Sequence, residues 1–355
     1  MGIQQQLLGG PEAIDGGLRS DREPNPALVL DAIYGYQRSA ALRAAIDIEL
    51  FTAIGAGSSD ASKIARTCEA SERGVRILCD YLTVAGILSK KDGHYGLTPT
   101  SSAFLDRRSP AEMTSTIRFL QSPKLLSAFA NLTEAVRQGG TGLPKGGVTE
   151  PELDEWVTFA ESMTPIMRPA AEFISELATT NGRRPKRVLD IAAGHGLFGI
   201  LLAQHAPEAH IVVQDWPNVL QVAKQNAEAA RLSDRYELLP GDAFTVDFGF
   251  DFDCVLLTNF LHHFNKNECE RLLQRIYRSL NPGGRLYILE FVPNSDRITP
   301  PIAASFSLVM LGLTPDGDAY TMQELEAMLV NSGFTHSELL QVPSSPQQVI
   351  VSTRA

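Results

Sequence analysis

Residues 187–199, RVLDIAAGHGLFG, constrain this chain more than any other stretch, because an apolar run there turns abruptly into a glycine-rich bend and then a helical pattern. Val188, Leu189 and Ile191 read as a short buried strand, and Gly194, Gly196 and Gly199 permit a tight turn and close approach of backbone to a ligand. The unit is strand, loop, helix, suited to holding a nucleotide-like molecule. Glycine turns of this kind also join strand to helix where nothing binds.

The three glycines satisfy GxGxxG, the dinucleotide fingerprint, in which a pyrophosphate sits on the positive end of the following helix. Asp190 at the strand end argues for a different ligand. A carboxylate there repels a pyrophosphate but suits a molecule carrying an ammonium and a sulfonium, such as S-adenosylmethionine (SAM).

Alternation continues downstream. Strands read at 211–215 (IVVQD), 236–239, 253–259 (DCVLLTN) and 285–290 (RLYILE), with helices at 217–231 and 266–280. This predicts a parallel sheet covered by helices on both faces, with ligands beyond the carboxyl ends of its strands. Asp215 ends the second strand, where a carboxylate can accept both ribose hydroxyls, and Asp242 follows the third, near the expected adenine edge. Each is otherwise a cap or turn aspartate.

A helix at 321–334 precedes two strands, 335–342 and 347–353, joined by PSSPQ. With no helix between them they pair as an antiparallel hairpin, whereas a standard dinucleotide domain would add another crossover helix. The predicted fold is α/β: a seven-stranded doubly wound sheet closed by a C-terminal antiparallel hairpin, plus a mostly α-helical N-terminal domain.

That N-terminal region begins with a glycine- and glutamine-rich stretch, 1–30, expected to be a loosely held tail without the basic and apolar segments of a signal peptide. Apolar residues at helical spacing over 31–50 predict one amphipathic helix or a pair. Helices opened at Asp60 and Ser71 and two brief strands near 90–96 then give a winged-helix outline within 31–111. Its basic residues are balanced by acidic ones, and the chain carries a net charge of -10, so a nucleic-acid partner is not expected. An interaction or dimerisation module is.

Residues 112–182 read as a helical connector to a sheet domain at 183–355. On its second helical pattern, 152–178, Trp156, Phe159, Met163 and Met167 recur at spacings of three and four and share a face. Such a stripe is ordinarily core, but two thioethers with two aromatics also suit a pocket for a flat organic substrate.

Residues 302–313 are too short an apolar run to span a bilayer, and no membrane partner is expected. Cys68, Cys79, Cys254 and Cys269 lack disulfide-framework density and metal-ligand spacing, which predicts reduced thiols, a cytoplasmic location and no metal site.

Together VLDIAAGHG, VVQDWPNV, GDAF, LHHF and LNPGGRLYILE resemble class I SAM-dependent methyltransferases, more narrowly the O-methyltransferases that include plant caffeic acid and bacterial polyketide enzymes. The resemblance covers nearly the whole chain. It implies a winged-helix dimerisation domain, hence a homodimer, and SAM as cofactor with S-adenosylhomocysteine (SAH) as product.

By the same resemblance Asp190, Gly194 and Gly196 face the methionine part of SAM, Asp215 the ribose, and Asp242, Ala243 and Phe244 the adenine, with Trp216 and Asn259 completing the cofactor site. His262 in NFLHHF stands where the family has a histidine that removes the substrate proton, and Glu290 where it has an acid that orients that histidine. His263 replaces a common aspartate and, with Phe306, Met310 and the connector stripe, would line the pocket of a small-molecule substrate.

Two departures stand out. Thr258 occupies a position where the family often has lysine, and GDAYT at 317–321 replaces a segment bearing a second acid, leaving Asp318 one place away as its substitute or as a turn residue.

Histidine suits this chemistry. Methyl transfer to a hydroxyl is an in-line displacement whose leaving thioether needs no acid, so nucleophile strength limits the rate. A phenol of pKa about 10 is protonated near neutrality, and a base of pKa about 6.5 in contact with it takes the proton as attack proceeds.

Other readings are same-fold C- or N-methylation, non-methylating chemistry such as cyclisation or elimination, a SAM-sensing winged-helix regulator, and an NAD-dependent oxidoreductase resting on GxGxxG alone.

Overall fold

The computed structural model describes residues 25–355, so the expected tail at 1–30 lies largely outside the described residues. Its last part is helical, because the first helix begins at Ala27 and runs to Asp47. The described residues divide into two compact units at Ile117/Arg118.

In the first unit the apolar pattern over 31–50 resolves into a pair of helices, Ala27–Asp47 and Leu50–Gly55, separated where Glu49 takes a left-handed φ of 55°. Helices Ala61–Thr67 and Glu72–Val84 follow, each opened by the residue expected from its sequence: Asp60 accepts from the Lys63 amide at 2.9 Å and Ser71 from the Gly74 amide at 3.1 Å. Strands β1 (Leu88–Lys91) and β2 (His94–Leu97) pair antiparallel as the wing. Leu50, Ile64, Cys79 and Leu82 fill the core of this unit.

The second unit joins the connector helices to the sheet. The pattern at 112–138 is broken into Ile117–Leu120, Pro123–Ala130 and Leu132–Gln138, the middle helix starting at a proline behind the Ser122 cap. The pattern at 152–178 is likewise two helices, Asp154–Ser162 and Thr164–Thr179. Pro165 stands in the first turn of the second helix, where its missing amide hydrogen costs no ladder bond, and the chain breaks before it at Met163. Within this unit Ala170, Ala171 and Ile174 of the connector share one buried cluster with Phe198, Leu202 and Val188 of the sheet.

The sheet has seven strands: β3 (Arg187–Ile191), β4 (His210–Asp215), β5 (Tyr236–Pro240), β6 (Phe252–Thr258), β7 (Leu280–Glu290), β8 (Ser337–Gln341) and β9 (Gln348–Thr353). Their order is β5-β4-β3-β6-β7-β9-β8, with β3 to β7 parallel and β9 antiparallel to both neighbours. The closing hairpin is the one read from the sequence. β7 begins earlier than its apolar run, because Leu280 already pairs with Phe252.

The chain winds outward from β3 to β5 and returns to β6, so the topological switch lies between β3 and β6, where loops part and ligands bind. Alternate residues of β3 enter different cores: Val188 packs on one face of the sheet and Leu189 and Ile191 on the other. Among the described residues no helix is long and apolar enough to cross a membrane.

Candidate active site

Beyond β3 the backbone turns through left-handed residues, Ala192 at φ 51°, Gly194 at 57° and Gly196 at 69°, before the helix Leu197–His205 begins. Gly199, in the first turn of that helix, is required by proximity. A Cβ there would sit 2.7 Å from Ile211 Cγ2 and 3.0 Å from Asp190 Oδ2. That approach lets the Gly199 amide donate to Asp190 Oδ2 at 3.0 Å.

Asp190 is fully buried and its other oxygen, Oδ1, has no hydrogen-bond partner. Burial raises its carboxyl to about 7, the nearby Asp215 charge adding to the rise and the Gly199 amide opposing it. Asp215, at the end of β4, accepts from the Gly194 amide at 2.8 Å and the Trp216 amide at 2.7 Å. Burial raises it to about 6 despite those bonds.

Two buried acids thus sit together at the bend, and among the described residues neither has a basic partner. An arrangement of this kind accepts a cation. Its orphaned oxygen fits SAM and fits poorly with a diphosphate.

Three residues passed over in the sequence hold the bend in place. Gln214 accepts from the Ala192 amide at 3.2 Å and donates to the Gly241 carbonyl at 2.5 Å, tying the loop after β3 to the loop after β5. A polar residue inside the apolar run IVVQD was its available signal. Tyr236 donates its hydroxyl to the Gly196 carbonyl at 3.0 Å, a contact that only the fold reveals. His195, 2% exposed, accepts the Leu197 amide on Nδ1 at 3.1 Å and stacks between Phe159 and Phe198.

After β5, Asp242 accepts the Phe244 amide at 2.9 Å as a turn residue, and Ala243 is buried. Phe244 packs edge-on against Phe264, with ring centroids 4.7 Å apart.

After β6 the chain turns at Asn259, φ 56°, into the short 3-10 turn Leu261–His263. Glu290, ending β7 one strand over, organises this loop. Its Oε1 accepts the amides of Phe260 at 3.1 Å and Leu261 at 2.9 Å, and its Oε2 takes the Nδ1 hydrogen of His262 at 2.5 Å. The contact orients the His262 ring, with Nδ1 toward the carboxylate and Nε2 on the opposite edge.

The His263 ring centroid lies 4.2 Å from that of His262, and its Nδ1 faces the Phe260 carbonyl at 3.2 Å. Burial, with the adjacent His262, drives its pKa well below the usual imidazole value, so His263 stays neutral. Phe306 meets His262 edge-on at 4.9 Å and stacks on Phe291, while Met310 is buried one turn further along the same helix, Pro301–Leu313.

The connector stripe reaches this region. Trp156 meets His263 edge-on at 5.2 Å, Phe159 lies 3.6 Å from where a Cβ on Gly194 would stand, and Met167 Sδ is 3.5 Å from Asn259 Nδ2. Met163 is packed into the core, at the break between the two helices.

Asp318 is engaged elsewhere, by the Arg297 guanidinium at 3.0 Å. Its neighbour Gly317 touches the histidine pair instead: a Cβ there would meet the His262 carbonyl and lie 2.9 Å from the His263 carbonyl carbon.

Residues 157–335 match the O-methyltransferase domain and residues 30–107 the O-methyltransferase dimerisation domain. A crystal structure from Nostoc punctiforme, described as that of a candidate O-methyltransferase, is 48% identical, covers 93% of this chain and 100% of its own, and superposes with a TM-score of 0.91. The tetracenomycin polyketide synthesis 8-O-methyl transferase of Streptomyces glaucescens is 26% identical, covering 87% of this chain and 91% of its own length. Human N-acetylserotonin methyltransferase in complex with SAM is 22% identical over 95% of this chain and 99% of its own, with a TM-score of 0.80, a likeness of fold.

Proposed function

Because the chain belongs to the O-methyltransferase family, with both its O-methyltransferase and its dimerisation domain, we propose that it transfers a methyl group from SAM to a hydroxyl of an aromatic or polyketide-like small molecule, with His262 as general base. The observation that carries this reading is the commitment of His262 Nδ1 to Glu290, which leaves Nε2 as the proton acceptor on the loop after β6. The polyketide-like substrate class rests on the Streptomyces glaucescens relative.

Asp190, Gly194 and Gly196 would hold the methionine end of SAM, Asp215 its ribose, and Asp242, Ala243 and Phe244 its adenine, with Trp216 and Asn259 completing the cofactor site. SAM supplies the electrophilic methyl group. The protein's part is to place the acceptor hydroxyl against His262 Nε2, take its proton, and exclude water with Trp156, Phe159, Met167, Phe306 and Met310. Glu290 keeps the ring oriented and stabilises the imidazolium that forms. His263, neutral and hydrogen-bonded to Phe260, supports the acceptor without competing for the proton.

The enzyme acts as a homodimer on this reading. Leu28, Val29, Ile33 and Tyr36 are 80%, 60%, 57% and 68% exposed on the first helix, an apolar strip that a second copy would cover. Light scattering giving a monomer would count against it.

The test is incubation with SAM and a panel of phenols and hydroxylated polycyclic ketones, reading product mass for one added CH₂ and an equal yield of SAH. His262→Ala should lower turnover by roughly 10² or more with SAH affinity unchanged. Unchanged turnover would remove His262 from the mechanism.

A further inference from the structure

Six of the eight amides from Ala192 to Gly199 are spent within the fold. The amides of Ala192, Ala193 and Gly194 go to Gln214 Oε1, the Gln214 carbonyl and Asp215 Oδ2. Those of Gly196, Leu197 and Gly199 go to the Ala193 carbonyl, His195 Nδ1 and Asp190 Oδ2. The charged side chains here, Asp190 and Asp215, are both acids.

One side-chain donor remains. His195 Nδ1 accepts an amide hydrogen, so its own hydrogen is on Nε2. Burial lowers the ring to about 4 and keeps it neutral near physiological pH. Nε2 is nonetheless buried without a partner, as is Asp190 Oδ1. Buried orphans of this sort are uncommon and call for a partner. Here they are complementary, one donor and one acceptor on the same short bend, and the amino-acid end of SAM carries one carboxylate and one ammonium.

On the reading that SAM binds at this bend, we propose that the Nε2 hydrogen of His195 is donated to the methionine carboxylate of the cofactor, while Asp190 faces its ammonium. A neutral donor is suited to this place. It satisfies an anion beside two acids without forming an ion pair with them, which a lysine or arginine would do. Stacking between Phe159 and Phe198, at centroid distances of 6.1 and 6.0 Å, fixes the ring plane and the direction of the donor.

The experiment compares two ligands by calorimetry on the intact protein: SAH, which has the amino-acid end, and 5′-methylthioadenosine, which lacks it. His195→Phe keeps a flat ring in the stack and removes the donor; His195→Leu makes the same comparison in a smaller side chain should the first variant not fold. SAH affinity is expected to fall by about tenfold or more, with 5′-methylthioadenosine affinity within about twofold of the wild type. His195→Gln, which retains a donor, should recover part of the loss. Equal losses for both ligands, or no loss for SAH, would overturn the proposal by making His195 a structural residue. Failure of the wild-type protein to bind SAH would instead sink the SAM reading beneath it.

Discussion

Glu290 ties His262 to its own loop: the carboxylate takes the Nδ1 hydrogen at 2.5 Å with one oxygen and two amides of the same loop with the other. One residue at the end of β7 therefore sets both the position of the loop after β6 and the orientation of its histidine. Both side chains are about 95% buried, and such a pair is fixed in geometry because a buried carboxylate must find donors.

Glu290→Gln tests this link. The amide keeps the shape but places a neutral group against Nδ1, so turnover should fall roughly 10 to 10²-fold while SAH affinity is retained. The check is steady-state kinetics alongside calorimetry. A variant with wild-type turnover would show that His262 needs no orienting acid.

Gly199→Ala tests the close approach of the helix Leu197–His205 to β3 and β4. The added methyl must displace Ile211 or Asp190, at 2.7 and 3.0 Å, and overpacking of this kind costs about 1–3 kcal/mol. A lower melting temperature and weakened SAH binding are expected together. A stable variant with intact binding would mean the bend tolerates more slack than its contacts suggest.

The buried acids give binding a pH dependence. Asp190 and Asp215 are raised from 3.8 to about 7 and about 6 by burial, so in the unliganded protein each favours folding while protonated. That contribution is full below the unfolded value and is lost as pH rises through about 6 to 7. A bound sulfonium and ammonium favour the ionised acids, so the rise in melting temperature caused by SAM should grow from about pH 5.5 to about pH 8, more for SAM than for the uncharged sulfur of SAH. A shift that stays flat or shrinks over that range would place the acids away from the cofactor, and Asp190→Asn should flatten it.

The sheet domain was legible in the sequence because its signals are local. Short apolar strands alternate with helical patterns, two strand-end acids follow in succession, and the two C-terminal strands lack an intervening helix, so only a hairpin can join them. The caps Asp60 and Ser71 were equally readable, since each binds an amide three residues on. The connector's apolar period runs unbroken through Met163, whereas the backbone there ends one helix and starts another at Thr164 and Pro165.

Within the site, the missed residues act over long sequence separations. Tyr236 reaches Gly196, Gln214 reaches Gly241, and Gly317 abuts His262, and no spacing rule foretells such pairs. Asp318 stands near a gap in the family pattern, and its carboxylate is bound by Arg297, whose guanidinium also binds Glu324 at 2.7 Å. Sequence position alone does not say which way a side chain on a turn will point.

The most direct test of the whole reading is a calorimetric titration of the purified protein with SAH and, separately, with NAD. Saturable binding of one SAH per chain with no measurable heat from NAD is the predicted result, since two buried acids line the bend beyond β3. Binding of NAD in preference to SAH would contradict it.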